Sequence, residues 1–248
     1  MFWVESGEFG DWQWDLGVRY ENVRVRADEL LEHDHYDNDH DKDHDDHADE
    51  MEGPLSRTFK PFNIAAGAIY HLNDGMHLAG NLSYAQRAPT AQELYAFGPH
   101  IATQTFEVGD PTLDKESNLH GEIGFRIHEG QLTGSITAFY DSFDDYIFQM
   151  DTGEEEDGLP LRQWAQQDAK FYGGELELRY DFGRNNSGHW QIFGFSDVVR
   201  AKFKDDTNVP RIPPVRFGLG LDWDLSGWAA NLTWIHASSH TRTAEYET

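Results

Sequence analysis

The segment 12–20 reads WQWDLGVRY, with a tryptophan, leucine, valine or tyrosine at every second position. Successive side chains of a β-strand point to opposite faces of the sheet, so this period of two predicts a strand with one apolar and one polar face. The same period recurs in eight further segments, which are 62–70, 76–84, 119–127, 132–140, 172–180, 190–194, 215–223 and 228–234. The alternation therefore predicts nine strands, with a further strand end at residues 1–5.

The second faces of these strands are too polar for the interior of a soluble sandwich. They carry Arg19, Asn63, Asn81, His120, Glu122, Arg126, Glu175, Glu177, Arg179, Asp222 and Asn231. We therefore expect each strand to meet an apolar medium on one side and water on the other. A soluble β-sandwich or β-helix also alternates, but its outer faces would have to hide the tryptophans.

Short and long connections alternate along the chain. Short turns are predicted at 73–75, 128–130, 183–188 and 224–227, and long links at 27–57, 87–117, 150–164 and 203–213. Strands that are apolar outside and polar inside, with short turns at one end and long loops at the other, are typical of a transmembrane β-barrel. The predicted fold is all-β, an antiparallel transmembrane β-barrel with long extracellular loops, of which about 9–10 strands lie in this chain.

The composition excludes several classes of protein. The net charge is −26 and no basic stripe is present, so nucleic acid is not an expected partner. The 248 residues include no cysteine, which excludes a disulfide framework and a thiolate zinc site. No apolar run approaches the roughly 20 residues of a membrane helix. We find no nucleophile elbow, phosphate-binding loop or His-Glu-x-x-His motif, so we expect no enzyme activity and no organic cofactor.

The segment 28–52 reads DELLEHDHYDNDHDKDHDDHADEME and contains five histidines among thirteen acidic residues. It is too polar to offset the entropy of ordering with buried apolar surface. Imidazole and carboxylate groups are ligands of borderline divalent cations such as zinc. We therefore predict that the loop 27–57 captures metal at several weak, exchanging sites. The predicted ligands are His33, His35, His40, His44, His47, Asp34, Asp37, Asp39, Asp41 and Asp43.

Two other interpretations of this segment stay open. It could be a solvated acidic loop that binds metal only incidentally. It could also hold calcium, because Asp39 and the acids that follow it match the spacing of an EF-hand loop. However, His44 stands at the sixth position, where that loop needs glycine, and flanking amphipathic helices are not predicted.

A sequence signature lies in the segment 82–117. An Arg-x-Pro-x-x-x-Glu-Leu-Tyr run is followed by Gly-x-Pro-x-Leu-x-x-Glu, formed by Arg87, Pro89, Glu93, Leu94, Tyr95, Gly109, Pro111, Leu113 and Glu116, with Asp110 where Asn is common. This signature resembles that of TonB-dependent outer-membrane receptors. The segments 134–148 and 170–180 also resemble consecutive strands of that family. The Arg87 guanidinium, Glu93 and Tyr95 are expected to serve mainly the architecture of the loop or lumen.

Within that family, the His/Asp-rich loop together with Gly98-Pro99-His100-Ile101-Ala102-Thr103 most resembles the ZnuD-type zinc receptors. The resemblance implies a protein of the Gram-negative outer membrane that takes up zinc as cargo, surrounded by lipid and driven by the TonB complex through an N-terminal plug domain. It also implies a barrel of about 22 strands. We expect residues 1–248 to be a piece of that barrel domain, without the plug and the last strands.

His100 is the candidate for a more defined metal site, with Glu107 near it in the same long link. The alternative is that His100 only forms hydrogen bonds within its own loop. His71, His77, His120, His128 and His189 fall on strands or turns, where an inward or interfacial polar role is expected. Two rival functions remain, namely a receptor for a metal chelate such as a siderophore or haem, and a metal-binding surface protein that does not transport.

Overall fold

The computed structural model describes residues 1–27 and 56–247. Its elements in chain order are β1 (Phe2–Phe9), β2 (Trp12–Tyr20), β3 (Val23–Arg26), β4 (Ser56–Phe59), β5 (Phe62–Asn73), β6 (Met76–Arg87), α1 (Ala91–Tyr95), β7 (Phe97–His100), β8 (Thr105–Val108), β9 (Glu116–Ile127), β10 (Leu132–Glu156), β11 (Leu159–Asn185), β12 (Gly188–Phe203), β13 (Arg216–Leu225) and β14 (Trp228–Ala237). In the described part of the chain, no helix is long and apolar enough to cross a bilayer.

Ten strands form one continuous antiparallel wall in the order β1-β2-β5-β6-β9-β10-β11-β12-β13-β14. Each strand pairs with the strands before and after it in that order, as in a meander. The nine predicted strands are all present, and the predicted strand end at 1–5 belongs to a complete tenth strand, β1. The short turns lie at one end of this wall and the long links at the other, and we call these the short-turn end and the long-link end.

The apolar face of the wall is not covered by protein. Leu82, Ile123 and Leu219 expose 59%, 62% and 61% of their surface, and Trp234 exposes 53%. Leaving such a side chain in water forfeits about 1.5–3 kcal/mol of burial free energy. The wall therefore does not fold back into a compact sandwich, and its outer face is suited to lipid.

The buried apolar residues lie at the long-link end. One cluster contains Phe59, Leu94, Tyr95, Leu113 and Ile147, with Val25, Ala27, Ala88 and Trp164 packed against it. A second contains Ala169, Ala201, Phe203 and Val209. The loops above the wall thus have a packed core of their own.

Two of the predicted long links contain regular structure. Residues 150–164, predicted as a link, belong to β10 and β11, which stay paired out to Glu156 and Leu159. The turn between them is Asp157-Gly158, with φ of 53° and 73°, as a tight hairpin requires. The segment was predicted as a link, but a hairpin that rises clear of the membrane can have two polar faces. The link 87–117 likewise contains α1, β7 and β8, and β8 pairs with β11 in parallel.

Candidate functional site

Arg87 organises the long-link end, because it stands where β6 stops and two carboxylates converge on it. Its Nη1 donates to both carboxylate oxygens of Glu93 at 3.0 and 2.9 Å. Its Nε and Nη2 donate to the two oxygens of Glu116 at 2.9 and 3.0 Å. Burial alone would lower the pKa of Arg87, but the hydrogen bonds to Glu116 and Glu93 outweigh it and raise that pKa. The Arg87 cluster, defined as Arg87, Glu93 and Glu116, therefore joins β6, α1 and β9.

The same carboxylates satisfy backbone groups. Glu93 accepts from the Thr90 backbone N at 2.7 Å while the Thr90 hydroxyl accepts from the Glu93 backbone N at 3.2 Å, which forms a capping box at the start of α1. Glu116 accepts from the Ile147 backbone N at 2.8 Å and so reaches β10. The architectural role expected for Arg87 and Glu93 is consistent with these contacts.

The structure brings His100 and Glu107 together. They lie on the two strands of the β7–β8 hairpin, in which Gly98 pairs with Glu107 and His100 with Thr105. The His100 Nδ1 is 3.6 Å from Glu107 Oε1 and 2.8 Å from the Thr103 hydroxyl oxygen. The side chain of Glu107 is 5% exposed and that of His100 is 46% exposed. A buried carboxylate thus stands behind an imidazole that solvent can reach.

Glu107 is held in place from behind. Gln92 of α1 donates to Glu107 Oε2 at 2.7 Å, which leaves Oε1 towards His100. Asp110, close to His100 in sequence, instead accepts from the backbone N and the hydroxyl of Thr112, at 2.7 and 2.6 Å. His100 and Glu107 therefore form a pair without Asp110.

A complete metal site is not assembled among residues 1–27 and 56–247, because they contain no group of three or more His, Asp or Glu side chains placed to hold an ion. Zinc prefers about four ligands. The pair of His100 and Glu107 can supply two of them.

The predicted ligands His33, His35, His40, His44, His47, Asp34, Asp37, Asp39, Asp41 and Asp43 lie outside the described residues. The strands that flank them are described. Arg26 of β3 pairs with Ser56 of β4, so the chain leaves and returns at adjacent positions. Arg57 Nη1 donates to the carbonyl oxygens of Pro111, at 2.9 Å, and of Leu113.

The β3–β4 ribbon, which flanks the His-rich segment, and the His100 pair both pack against α1. Phe59 of β4 packs in the same apolar cluster as Leu94 and Tyr95 of α1. That helix also carries Gln92, which positions Glu107. The β3–β4 ribbon is therefore fixed to the layer that holds the His100 pair.

An acidic patch at the long-link end was not singled out in the sequence. It consists of Asp114, Asp144, Asp145 and Asp168. Partial burial and the negative charges of Asp168, Asp114 and Asp144 raise the pKa of Asp145. Lys204 Nζ lies 2.9 Å from Asp168 and neutralises part of this charge, and the remaining negative charge of the patch attracts cations. The sequence shows the adjacent acids Asp144 and Asp145. It does not show that Asp168 of β11 and Asp114, in the link before β9, lie beside them.

The other predicted polar histidines divide into two groups. His120 Nδ1 lies 2.8 Å from Asp141, and His189 bridges Asp181 and Asp224 at 2.8 and 3.1 Å. The rings of His71, His77 and His128 lie against one another.

The model of the TonB dependent receptor-like β-barrel family matches residues 5–248. The chain belongs to this family. Its fold class is therefore confirmed as part of an antiparallel outer-membrane barrel, located in the outer membrane of a Gram-negative bacterium. Membership in a family of transporters also confirms that this TonB-dependent receptor chain is not an enzyme.

Solved structures of the same fold include several outer-membrane transporters. The copper transporter OprC superposes with a TM-score of 0.76 at 18% identity, over 98% of this chain and 34% of its own. The ferric citrate transporter FecA gives 0.62 at 19% identity, over 94% and 31%. The FrpB iron transporter from Neisseria meningitidis gives 0.60 at 15% identity, over 94% and 31%. The receptor chain thus spans about a third of the length of these proteins.

In this family the orientation of the wall follows from its connections. Outer-membrane barrels have short periplasmic turns and long extracellular loops. The long-link end of the receptor is therefore extracellular, and with it the Arg87 cluster, the His100 pair and the base of the His-rich segment. The short-turn end is periplasmic.

Proposed function

We propose that this chain belongs to an outer-membrane receptor that captures zinc, or a related borderline divalent cation, on its extracellular loops and passes it inward by TonB-dependent transport. The His-rich segment collects the ion, and the His100 pair receives it. The observation that supports this proposal is the 3.6 Å approach of His100 to Glu107, on the layer to which the His-rich segment is anchored. The coupling to the TonB complex, through a plug domain, is part of the same proposal.

The ligand types favour a borderline cation. Imidazole suits zinc, copper, iron and nickel, whereas calcium and magnesium take oxygen ligands. A buried carboxylate beside an imidazole combines one charge with one nitrogen donor, and the acidic patch at the same end of the wall adds long-range attraction. The structural neighbours named as copper, iron and ferric citrate transporters support the proposal that the cargo is a metal or a metal chelate.

Three extracellular arginines are already paired with carboxylates, which favours a free ion over an anionic chelate at their positions. Arg87 is bound by Glu93 and Glu116, and Arg162 donates to Asp151 at 2.6 Å. Arg211 contacts the same Asp151 at 3.4 Å. A carboxylate-bearing or catecholate chelate would have to displace these internal partners, whereas a cation would not.

Zinc uptake by cells that express the whole receptor tests the proposal. Deletion of 33–47 should lower uptake of radioactive zinc at low external concentration, and His100→Ala with Glu107→Gln should lower it further. The control is His120→Asn, which changes a histidine already bound to Asp141. If free zinc uptake is unchanged in both variants while uptake of a chelate is lost, the receptor carries a chelate. If the protein binds zinc but supports no TonB-dependent uptake, it is a metal-binding surface protein that does not transport.

A further inference from the structure

Three histidines meet at the short-turn end of the wall. His71 is near the end of β5 and stands directly opposite His77 of β6, and His128 follows the last residue of β9. The ring centroids of His71 and His77 are 5.9 Å apart, and those of His77 and His128 are 5.5 Å apart. We call these residues the histidine trio.

The trio faces the polar side of the wall. Tyr70 and Leu78 belong to the apolar alternation of their strands, so the adjacent His71 and His77 project to the opposite face. In the barrel that face lines the lumen, at its periplasmic mouth.

Two nitrogen atoms of the trio lack partners. His71 Nε2 and His77 Nδ1 are buried without a hydrogen bond. Buried polar atoms are normally paired, and an unpaired one costs stability and calls for an unseen water or ion. His120 and His189, by contrast, are bound to aspartates. The trio therefore has imidazole nitrogens that are free to bind an ion, whereas His120 and His189 are already bound to aspartates.

The spacing of the rings is close to that of a shared metal ion. With zinc-to-nitrogen distances near 2.0–2.1 Å, two imidazoles on one tetrahedral ion have ring centroids about 5.2 Å apart. The two observed separations are longer by only 0.7 and 0.3 Å. In the described residues no triad is already closed around a common point, so side-chain rotation has to complete it. His128 is exposed at the edge of its turn, which leaves it room to rotate.

We propose that His71, His77 and His128 form a second cation site, at the periplasmic mouth of the lumen, which takes a borderline divalent cation such as Zn²⁺ or Cu²⁺. Arg126 stands opposite His77 in the register, and its positive charge weakens the site. A weak site suits release of an ion. The role in release rests on the proposed function, whereas the binding of an ion does not.

Copper coordination in the full-length receptor tests the site. The background variant has residues 33–47 deleted and carries His100→Asn, which removes the other proposed histidine ligands. One equivalent of Cu²⁺ is added to the protein in detergent at neutral pH, and pulsed electron paramagnetic resonance counts the coordinated imidazoles. We expect a species with two or three imidazoles.

That species should be lost in His77→Asn and reduced in His71→Asn, while His120→Asn leaves it intact. Two substitutions keep the test valid if one of them prevents folding, which heat-modifiable gel migration reports. A spectrum with only single-imidazole copper, or a multi-imidazole signal that survives both substitutions, overturns the proposal. A receptor that shows the signal but imports no zinc would keep the site and refute the proposed function.

Discussion

Replacing Arg87 by methionine should destabilise the extracellular layer locally, because it leaves the carboxylates of Glu93 and Glu116 buried without their cation. The side chains of Glu93 and Glu116 are 9% and 10% exposed, so neither regains full hydration when Arg87 is lost. Breaking a buried ion pair in this way costs about 3–5 kcal/mol. Because Arg87 itself is 40% exposed, solvent screening reduces this to about 2–3 kcal/mol.

Hydrogen exchange of the full-length receptor in detergent measures this loss. A local destabilisation of that size should speed exchange of the backbone amides of Glu93 and Ile147 by about 30- to 150-fold. The matched control is Arg19→Met, since Arg19 contacts Glu21 at 2.6 Å but the two side chains are 62% and 33% exposed. That exposed pair should cost no more than about 1 kcal/mol.

A second substitution separates charge from packing. If stranded carboxylates cause the loss, adding Glu116→Gln to Arg87→Met removes one of the two like charges and should recover part of the protection. Effects that simply add in the double variant, or an Arg87→Met protein that exchanges no faster than Arg19→Met, would refute this account of the Arg87 cluster.

Three further outcomes follow from the structure. The hydrogen bond from Lys204 lowers the pKa of Asp168 from its ordinary 3.8, so the ion pair stabilises the fold fully above pH 3.8 and loses this contribution as pH falls through the lowered pKa. In Asp168→Asn the free energy of unfolding should therefore vary less with pH below about pH 4. An unchanged pH dependence in that range would show that the pair does not contribute to stability. Gly158 has a φ of 73°, so Gly158→Ala should weaken the β10–β11 tip by about 1–2 kcal/mol and speed limited proteolysis there, whereas equal cleavage rates would show that this turn does not need glycine. Zinc bound by the segment 33–47 should fall steeply between about pH 7 and 5.5, because only neutral imidazole ligates; titration with a competing chelator at each pH checks this, and flat binding would assign the ion to carboxylates.

The strands could be predicted because lipid imposes a strict rule on them. Every second residue of a segment such as 12–20 must be apolar, and the rule holds only if the other face meets water. The signature around Arg87 likewise foretold a structural role, since its Glu93 and Glu116 are the residues that reach the guanidinium.

Two kinds of feature could not be predicted from the sequence. One is a strand outside the membrane, where lipid does not impose a period of two, and the other is a contact that depends on which strands pair. The paired strands at 150–164 were hidden because residues 151–157 are all polar or glycine and give no period of two. The histidine trio was hidden because His77 and His128 are far apart in sequence and meet only when β6 pairs with β9. The approach of His100 to Glu107 likewise needs the pairing of β7 with β8.

In this receptor the residues that face lipid and the proposed ligand residues of the loops lie in different parts of the chain. Within the membrane band one face of each strand is committed to lipid, and the short strands leave few side chains for chemistry. Above the band the chain builds a small packed core of its own, around Leu94 and Leu113, which is rigid enough to hold a buried carboxylate beside an exposed imidazole. The metal capture that we propose therefore falls in the part of the sequence where alternation fails. For this reason, a departure from the period of two in a barrel sequence is a guide to where its extracellular ligand residues lie, whereas the histidine trio occupies polar-face positions within the alternation.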